Sequence, residues 1–519
     1  MDTAELTGGK DLSATAVKYH ASTQSCSVSR IERAGGRREM SKLSRRRLLE
    51  DSLALLAVSA APLAAVAAPA GAWRRRVSPN ETINVAVIGF NGQGSGHINN
   101  LLSKPDVNLV ALCDPDTAVW EKGLRAAEKA GKPAPKTFTD IRKLLEMKDL
   151  DAVSIATPNH WHALGAIWAM QAGKHVYVEK PISHEVAEGR RVVEAARYYK
   201  KICQCGTQSR SNTGMREAME FLASGKLGKI TLARGLCYKP RGTIGLTTSA
   251  HQPPSTVDYD LWLGPAPRKE VRRQRFHYDW HWFWDYGNGD IGNQGIHEMD
   301  KARWGLGKNT MPRSVLSLGG RFGYVDDGET ANTQLAFFDY GDCQLIFEVR
   351  GLATPDLHGA KVGNIFYGTE GLLVSANYSS ATAFNTSGEK IAEFKGGDDH
   401  FRNWLNAIRS GRHQDLHADC EEGHLSSALC HVANISYRLG KLEPFNPRTK
   451  AFGDDKEAYE TLGRMEEHLA ANGIRLEETK YRLGRKLRLN GERFAGDAEA
   501  NRMLTRDYRA PYVVPARIG

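Results

Sequence analysis

The sequence predicts an α/β protein whose first half forms a doubly wound parallel sheet. Three observations predict it. Short β-branched runs recur along the chain and end in Gly or an acidic residue. Helix-length segments separate them, at the rhythm of β-α-β units. A Gly-rich turn follows the first run, where strand hands over to helix.

The first element is Ile83-Asn84-Val85-Ala86-Val87-Ile88-Gly89, the pattern of a strand buried on both faces. Gly89-Phe90-Asn91-Gly92-Gln93-Gly94 then opens a helix through His97–Leu102. This is a variant of the G-x-G-x-x-G turn that brings backbone against a pyrophosphate. Asn91 stands in place of the second Gly, with Gly92 beside it. Asn tolerates positive φ better than most residues. The next strand, Asn108–Cys113, ends in Asp114. An acidic residue about 20 positions after the glycines binds a ribose 2′-hydroxyl. A carboxylate there repels a 2′-phosphate, so NAD is expected over NADP. The bland reading of Asp114 is a turn residue before Pro115.

The alternation continues. Asp151–Ala156 reads as a strand, Thr157-Pro158-Asn159-His160 as a turn, and about His162–Ala172 as a helix ended by Gly173. His175–Val178 is the next strand, followed by Glu179-Lys180-Pro181. A helix over about Glu185–Lys200 and a strand at Ile202–Gly206 complete a Rossmann domain spanning 80–208. Ligands bind at the carboxyl ends of such strands. The candidate cofactor residues are therefore Gly89, Asn91, Gly92, Gln93, Gly94, Asp114, Thr157, Pro158, Asn159, His160, Glu179 and Lys180.

The N-terminus reads as an address. Residues 1–43 are polar and aperiodic, either disordered or the product of a start placed too early, with Met40 as the alternative. Residues 44–72 hold Arg45-Arg46-Arg47-Leu48-Leu49, an Ala-rich apolar run and small-residue exits at Ala65–Ala67 and Ala70–Ala72. That is the layout of a cleavable twin-arginine export signal. The apolar run is Ala-rich and only marginally long enough to span a bilayer, so no stable membrane span is expected, with retention as an uncleaved anchor as the alternative. Export of a folded protein implies a periplasmic enzyme carrying a cofactor loaded beforehand. The net charge of +10 over 519 residues, without basic runs that interleave aromatics, does not call for a nucleic-acid partner. Without Cys26, seven of the eight cysteines remain. Cys203 and Cys205 form C-x-C with no second pair to complete a zinc pattern, so free thiols are expected.

Five motifs together resemble the Gfo/Idh/MocA oxidoreductases, a family that includes glucose–fructose oxidoreductase and inositol dehydrogenases. They are the turn at Gly89–Gly94, Thr157–His160, Ala172-Gly173-Lys174-His175, Glu179-Lys180-Pro181, and the Gly-rich segment Gly289–Asp300 containing His297. The resemblance covers about residues 82–440. It implies a C-terminal α/β domain, here 209–449, with a large open, mostly antiparallel sheet and substrate between the domains. The sequence agrees, with a helix near Asn212–Ser224 and β-like runs at Ile230–Tyr238, Ser314–Gly323, Asn332–Tyr340, Cys343–Val349 and Asn364–Tyr367. Helices follow at about Asp398–Ser410 and Glu421–Leu439. Residues 450–519 are a charged extension expected to wrap the surface or a neighbouring subunit. The resemblance also implies a homo-oligomer, a dimer or tetramer.

By that resemblance His297 is the base that removes a hydroxyl proton, and Lys180 polarises the same oxygen. Asn293 stands four residues before His297, where Asp is usual, and can hydrogen-bond substrate without carrying charge. Asp300, one helical turn after His297, is a candidate buttress or substrate contact. The run Phe276–Tyr286 is dense in aromatics, so Trp280 and Trp284 are candidates to stack on a sugar, with core packing or a subunit interface as the other readings. Tyr238 ends a predicted strand and is a further substrate candidate. His277 and His281 lie at i and i+4, but no acidic third ligand supports a metal, and none is expected. The leading reading is an exported NAD(P)-dependent oxidoreductase acting on a sugar or sugar derivative. The alternative is an NAD-dependent glycoside hydrolase that oxidises, eliminates, adds water and reduces again. A non-catalytic sugar-binding protein is the third, with Lys180 and His297 against it.

Overall fold

The five strands expected in the first half join into one sheet with a short sixth, Lys136–Phe138, that the sequence pattern did not mark. In the computed structural model, which describes residues 82–519, they are β1 (Ile83–Ile88), β2 (Val107–Cys113), β3 (Lys136–Phe138), β4 (Ala152–Ile155), β5 (His175–Val178) and β6 (Cys203–Cys205). The predicted export signal lies outside the described residues. The spatial order is β3-β2-β1-β4-β5-β6, and each neighbouring pair is parallel. The order reverses between β1 and β4, which opens a crevice at their carboxyl ends.

Both faces of this sheet are covered, as its unbroken apolar runs require. Ala86, Ile88, Val153 and Ile155 pack with the Asn159–Gln171 and Val186–Tyr198 helices. Val85, Val87 and Ala152 face the other way, against Ile98 and Leu101 of the Gln93–Leu102 helix. That second face has a distant visitor. The His400–Ser410 helix crosses back from the second half of the chain and packs Phe401, Trp404 and Leu405 there. Tyr177 of β5 stacks on Phe401 with ring centroids 4.3 Å apart.

The second sheet contains β7 (Ile230–Tyr238), β8 (Ser314–Gly320), β9 (Thr333–Asp339), β10 (Gln344–Arg350), β11 (Val362–Gly368), β12 (Gly371–Ser375), β13 (Ser380–Asn385) and β14 (Lys390–Lys395). β15 (Lys441–Pro444) follows, and the C-terminal extension adds β16 (Lys480–Leu483), β17 (Leu487–Asn490) and β18 (Arg493–Phe494). The order is β14-β13-β12-β11-β7-β10-β9-β8-β16-β15, with β17 pairing both β8 and β18. The β7–β10 pair is parallel and the other recorded pairs are antiparallel. The sheet is therefore mostly antiparallel, as expected.

Its two faces are sorted by the period of two along β7. Ala233 and Cys237 join the core that holds the Gly295–Gly305 and Cys420–Arg438 helices. Leu232 faces the other side, where the extension supplies a helix, Lys456–Ala471. That helix buries Ala458, Leu462, Met465 and Leu469. Beneath it Glu348, fully buried, accepts hydrogen bonds from Arg234, Arg350, Arg464 and Tyr238 at 2.6–3.0 Å. Burial alone would raise this carboxyl; the three guanidinium groups outweigh it and hold it low. The seven cysteines among the described residues are all buried free thiols. Among the described residues, no helix is long and apolar enough to cross a membrane.

Leu462 is 1% exposed in the seam between this helix and the sheet. Leu462→Ala is expected to lower unfolding stability by about 2–4 kcal/mol, read by denaturant unfolding. A change below about 0.5 kcal/mol would mean the helix is not part of the folded core.

Candidate active site

The crevice predicted by the strand order is a cavity of about 1030 Å³. Drug-sized ligands fill pockets of roughly 300–1,000 Å³, so there is room here for a larger molecule. Its lining is drawn from both halves of the chain and includes Gly89, Asp114, Thr157, Lys180, Trp280 and His297.

The Gly-rich turn is built for close approach. Gly89 has φ +76°, and a Cβ there would lie 2.8 Å from the Thr157 backbone. A Cβ on Gly94 would lie 2.0 Å from the Gly89 carbonyl, so Gly94 serves strand–helix packing and does not itself line the cavity. A Cβ at Gly92 would meet open space within 4 Å. Gly92 caps the Gln93–Leu102 helix without a side-chain cap, and the first turn carries no acid. Open N–H groups and the positive end of a helix dipole suit a phosphate. Asn91 and Gln93 line the same mouth.

Asp114 sits at the end of β2, 7% exposed. Its two oxygens accept from the backbone N–H groups of Phe90 and Asp116, each at 3.0 Å. Burial pushes its carboxyl up to about 6, against the pull of those two bonds. It is therefore ionised at neutral pH. At the end of β4, Thr157, Pro158 and Asn159 line the cavity. The Thr157 hydroxyl is buried without a partner, a polar group waiting for a ligand. These features fit a nicotinamide dinucleotide along the turn and across the ends of β1, β2 and β4.

At the end of β5 the sequence gives Glu179 and Lys180. Glu179, 4% exposed, bonds the imidazole of His97 at 3.1 Å and accepts from Gln208 at 3.2 Å. Burial would raise this carboxyl, but the His97 hydrogen bond and nearby cationic groups hold it at about 2. Gly206 makes room, since a Cβ there would come within 2.9 Å of the Glu179 carboxylate. The Lys180 ammonium donates to the backbone carbonyl of Asn293 at 2.9 Å. Burial pulls its pKa below the usual lysine range.

Asn293 ends the short helix Gly289–Asn293, and His297 lies in the first turn of the following Gly295–Gly305 helix. Burial, then the charge of Lys180, keeps His297 far below its usual pKa, so the ring is neutral. Its ring lies 5.0 Å from that of Tyr378. The carboxamide of Gln294 bridges Lys239 at 3.1 Å and Tyr378 at 2.5 Å. Trp280 lines the cavity and stacks on His281 with centroids 3.6 Å apart. The His281 Nδ1 bonds the Tyr278 carbonyl.

Four predicted site residues lie elsewhere. Tyr238 shares the Leu232 face of β7, and its hydroxyl donates to Glu348 beneath the extension helix. Asp300 turns from the cavity into an ion pair with Arg210 at 2.8 Å and accepts from Ser426. Trp284 lies under the guanidinium of Arg438, outside the cavity lining. His160 is buried with Nε2 3.1 Å from the Trp262 carbonyl, and also outside the lining. His97, Gln208, Gln294, Tyr378 and His281 were not singled out as site residues. His281 carried a signal in its place in the aromatic run, and Gln294 in its place within the Gly-rich segment; the rest come from helix and loop positions that pattern does not mark. Among the described residues no group of three or more His, Cys, Asp or Glu is placed to hold a metal ion.

Comparison with known proteins agrees with this geometry. A family model described as "Oxidoreductase family, NAD-binding Rossmann fold" (GFO_IDH_MocA) matches residues 83–207. Its companion, "Oxidoreductase family, C-terminal alpha/beta domain", matches residues 228–468. The two cover more than two thirds of the chain. A glycosyl hydrolase family 109 protein of Shewanella pealeana is 33% identical over 165 residues, 31% of this chain and 36% of that protein. An alpha-N-acetylgalactosaminidase of Shewanella oneidensis is 33% identical over 143 residues, 27% of this chain and 31% of that protein. The chain thus spans about a third of the length of these relatives. Among solved structures, levoglucosan dehydrogenase in complex with NADH is similar at 17% identity and TM-score 0.52, covering 67% of this chain and 95% of that one. The WlbA dehydrogenase of Chromobacterium violaceum, with NADH and UDP-GlcNAcA, is similar at 19% identity and TM-score 0.52, covering 70% and 95%. At these identities the likeness is one of fold.

Two outcomes follow from the geometry. Gly94→Ala is expected to abolish NAD retention, because the turn cannot close around the new methyl; unchanged NAD content after purification would contradict it. The second concerns pH. His175, His400 and His468 are held by burial to about 4, and His281 and His431 to about 3. Five further imidazoles are lowered, chiefly by burial. As pH falls through 6.5 the unfolded chain protonates these rings and the folded chain does not, so stability is lost. Carboxyls raised by burial act oppositely: Asp114 at about 6, and Glu185, Glu188 and Glu298 at about 7. The imidazoles outnumber them. Each unmatched proton contributes about 1.4 kcal/mol per pH unit. The melting temperature is therefore expected to fall between pH 7 and pH 5, and a rise would contradict the burial of these rings.

Proposed function

The chain belongs to the Gfo/Idh/MocA oxidoreductase family, and from that premise we propose that it moves a hydride between a sugar-type hydroxyl and a tightly held NAD. The observation that carries this reading is the meeting of Lys180 and a neutral His297 in the cavity that begins at the Gly-rich turn. Bound NAD supplies the two-electron acceptor. The other tasks fall to side chains. When the carbon that bears a hydroxyl gives up hydride, the hydroxyl oxygen must also give up its proton as the carbonyl forms. The unprotonated His297 ring is free to take it. The Lys180 ammonium, fixed by the Asn293 carbonyl, donates to the same oxygen and stabilises charge as the proton leaves. Trp280 offers a flat apolar surface for the C–H face of a pyranose.

NAD is preferred over NADP in this proposal because Asp114, which lines the cavity, is ionised and would repel a 2′-phosphate. The twin-arginine reading of residues 44–72 makes the enzyme an exported one that carries its cofactor with it. Assembly into a homo-oligomer is part of the same proposal.

A second reading has a specific support. The relatives that match a third of their length are named as glycosyl hydrolases, one of them an alpha-N-acetylgalactosaminidase. In that reading the same site oxidises a ring hydroxyl, lets an aglycone leave by elimination, adds water and returns the electrons. The readings separate without added NAD. Free sugars should raise absorbance in the reduced-nicotinamide band for a net dehydrogenase. Aryl glycosides should release aglycone for a redox-neutral hydrolase.

Lys180→Ala is expected to keep nucleotide bound and to lose about 10²-fold or more in kcat, measured on whichever substrate the holoenzyme turns over. Unchanged turnover would remove Lys180 from the chemistry.

A further inference from the structure

The nucleotide features described above belong to the first sheet, but one wall of the cleft does not. Residues 254–283 leave the second domain and lie across the carboxyl end of β2. The contact is continuous. Asp116 and Val257 form an antiparallel bridge. The Thr117 N–H donates to the Thr256 carbonyl at 3.0 Å, and the Asp258 N–H to the Pro115 carbonyl at 2.9 Å. The indole N–H of Trp161 donates to the Leu261 and Trp262 carbonyls at 3.1 and 3.0 Å. Leu261, Trp262, His277 and Tyr278 consequently line the same cavity as Asp114 and Pro115.

One side-chain pair closes this wall. The His277 Nε2 lies 2.8 Å from the Asp116 Oδ2. Asp116 is 3% exposed, and its other oxygen caps the Thr117–Val119 turn by accepting from the Ala118 N–H at 3.0 Å. His277 is fixed in turn, since the Trp280 indole donates to its carbonyl at 3.0 Å. The pair therefore joins the loop that follows β2 to a segment more than 130 residues away, directly beside Asp114. In a sheet of this order the end of β2 is where the adenosine ribose lies. A ribose held by Asp114 would be roofed by this segment.

We propose that Asp116 and His277 form a cross-domain clasp that completes the adenosine-ribose site and retains the dinucleotide, which leaves only when residues 254–283 lift from residues 114–117. The proposal rests on the NAD reading of the cleft.

The test measures NAD exchange in the full-length holoprotein, with etheno-NAD as a fluorescent chase. His277→Phe is expected to speed NAD release about tenfold or more, the loss of one charge-assisted hydrogen bond. A second variant works in the opposite sense and does not weaken the wall. Thr117→Cys with Thr256→Cys, oxidised by a small disulfide reagent, should trap NAD in the holoprotein and block loading of the apoprotein. A dithiol should restore both rates. Release that is unchanged in His277→Phe, or an oxidised apoprotein that loads NAD as fast as the reduced one, would overturn the clasp. Failure of the wild-type chain to bind NAD at all would instead overturn the cofactor reading, and the clasp with it.

Discussion

The Lys180 ammonium reaches from the end of β5 to the backbone carbonyl of Asn293, and the site exists only while the two domains keep that register. Lys180 belongs to the nucleotide-binding sheet. Asn293 and His297 belong to the helices beneath the second sheet. A displacement of 1 Å between them would break a hydrogen bond and misplace the ammonium proposed to polarise a substrate oxygen. Much of the remaining structure can be understood as holding these two parts together.

Asn288 does so at the centre. Its carboxamide accepts from Asn159 at 3.0 Å and donates to the His184 carbonyl at 3.0 Å, while its own carbonyl accepts from Asn434 at 2.9 Å. One residue at the head of the Gly-rich segment thus touches the β4 turn, the loop after β5 and the Cys420–Arg438 helix. The His400–Ser410 helix adds apolar burial by packing on the first sheet although it follows the strands of the second. The C-terminal tail adds charge. Arg509 donates to the Asp260 carboxylate and the Gly264 carbonyl, and Arg506 to the Asp285 carbonyl. Arg509 therefore pins the segment that walls the cavity. These contacts are buried or half-buried, where ion pairs and hydrogen bonds are screened less than at an open surface.

The first domain was legible because its strands are buried on both faces and therefore read as unbroken β-branched runs. The glycines that must approach backbone closely, Gly89 and Gly94, stood out for the same reason: their role is local. Lys180 and His297 were found through motif order, and Trp280 through the density of its aromatic run. The misses have a common cause. Tyr238 and Asp300 lie on the right elements but on the wrong face, and face is decided by which neighbour covers it. Glu348 and Arg350 supply those neighbours for Tyr238, both from a strand far away in sequence. His160 and Trp284 were drawn away by Trp262 and Arg438, partners more than 100 residues distant. His97, Gln208 and Tyr378 reach the site by tertiary contact alone. The joining of His277 to Asp116 is likewise invisible in sequence, where His277 suggested at most half of a metal pair with His281.

The central claim is that two domains enclose a retained NAD between the Gly89–Gly94 turn and the Lys180–His297 pair. Native mass spectrometry of the purified full-length protein, followed by denaturation and identification of the released small molecule, tests it most directly. The account predicts one NAD per chain that survives extensive dialysis and is freed only on unfolding. A protein that carries no nucleotide, or that holds NADP in its place, would contradict it.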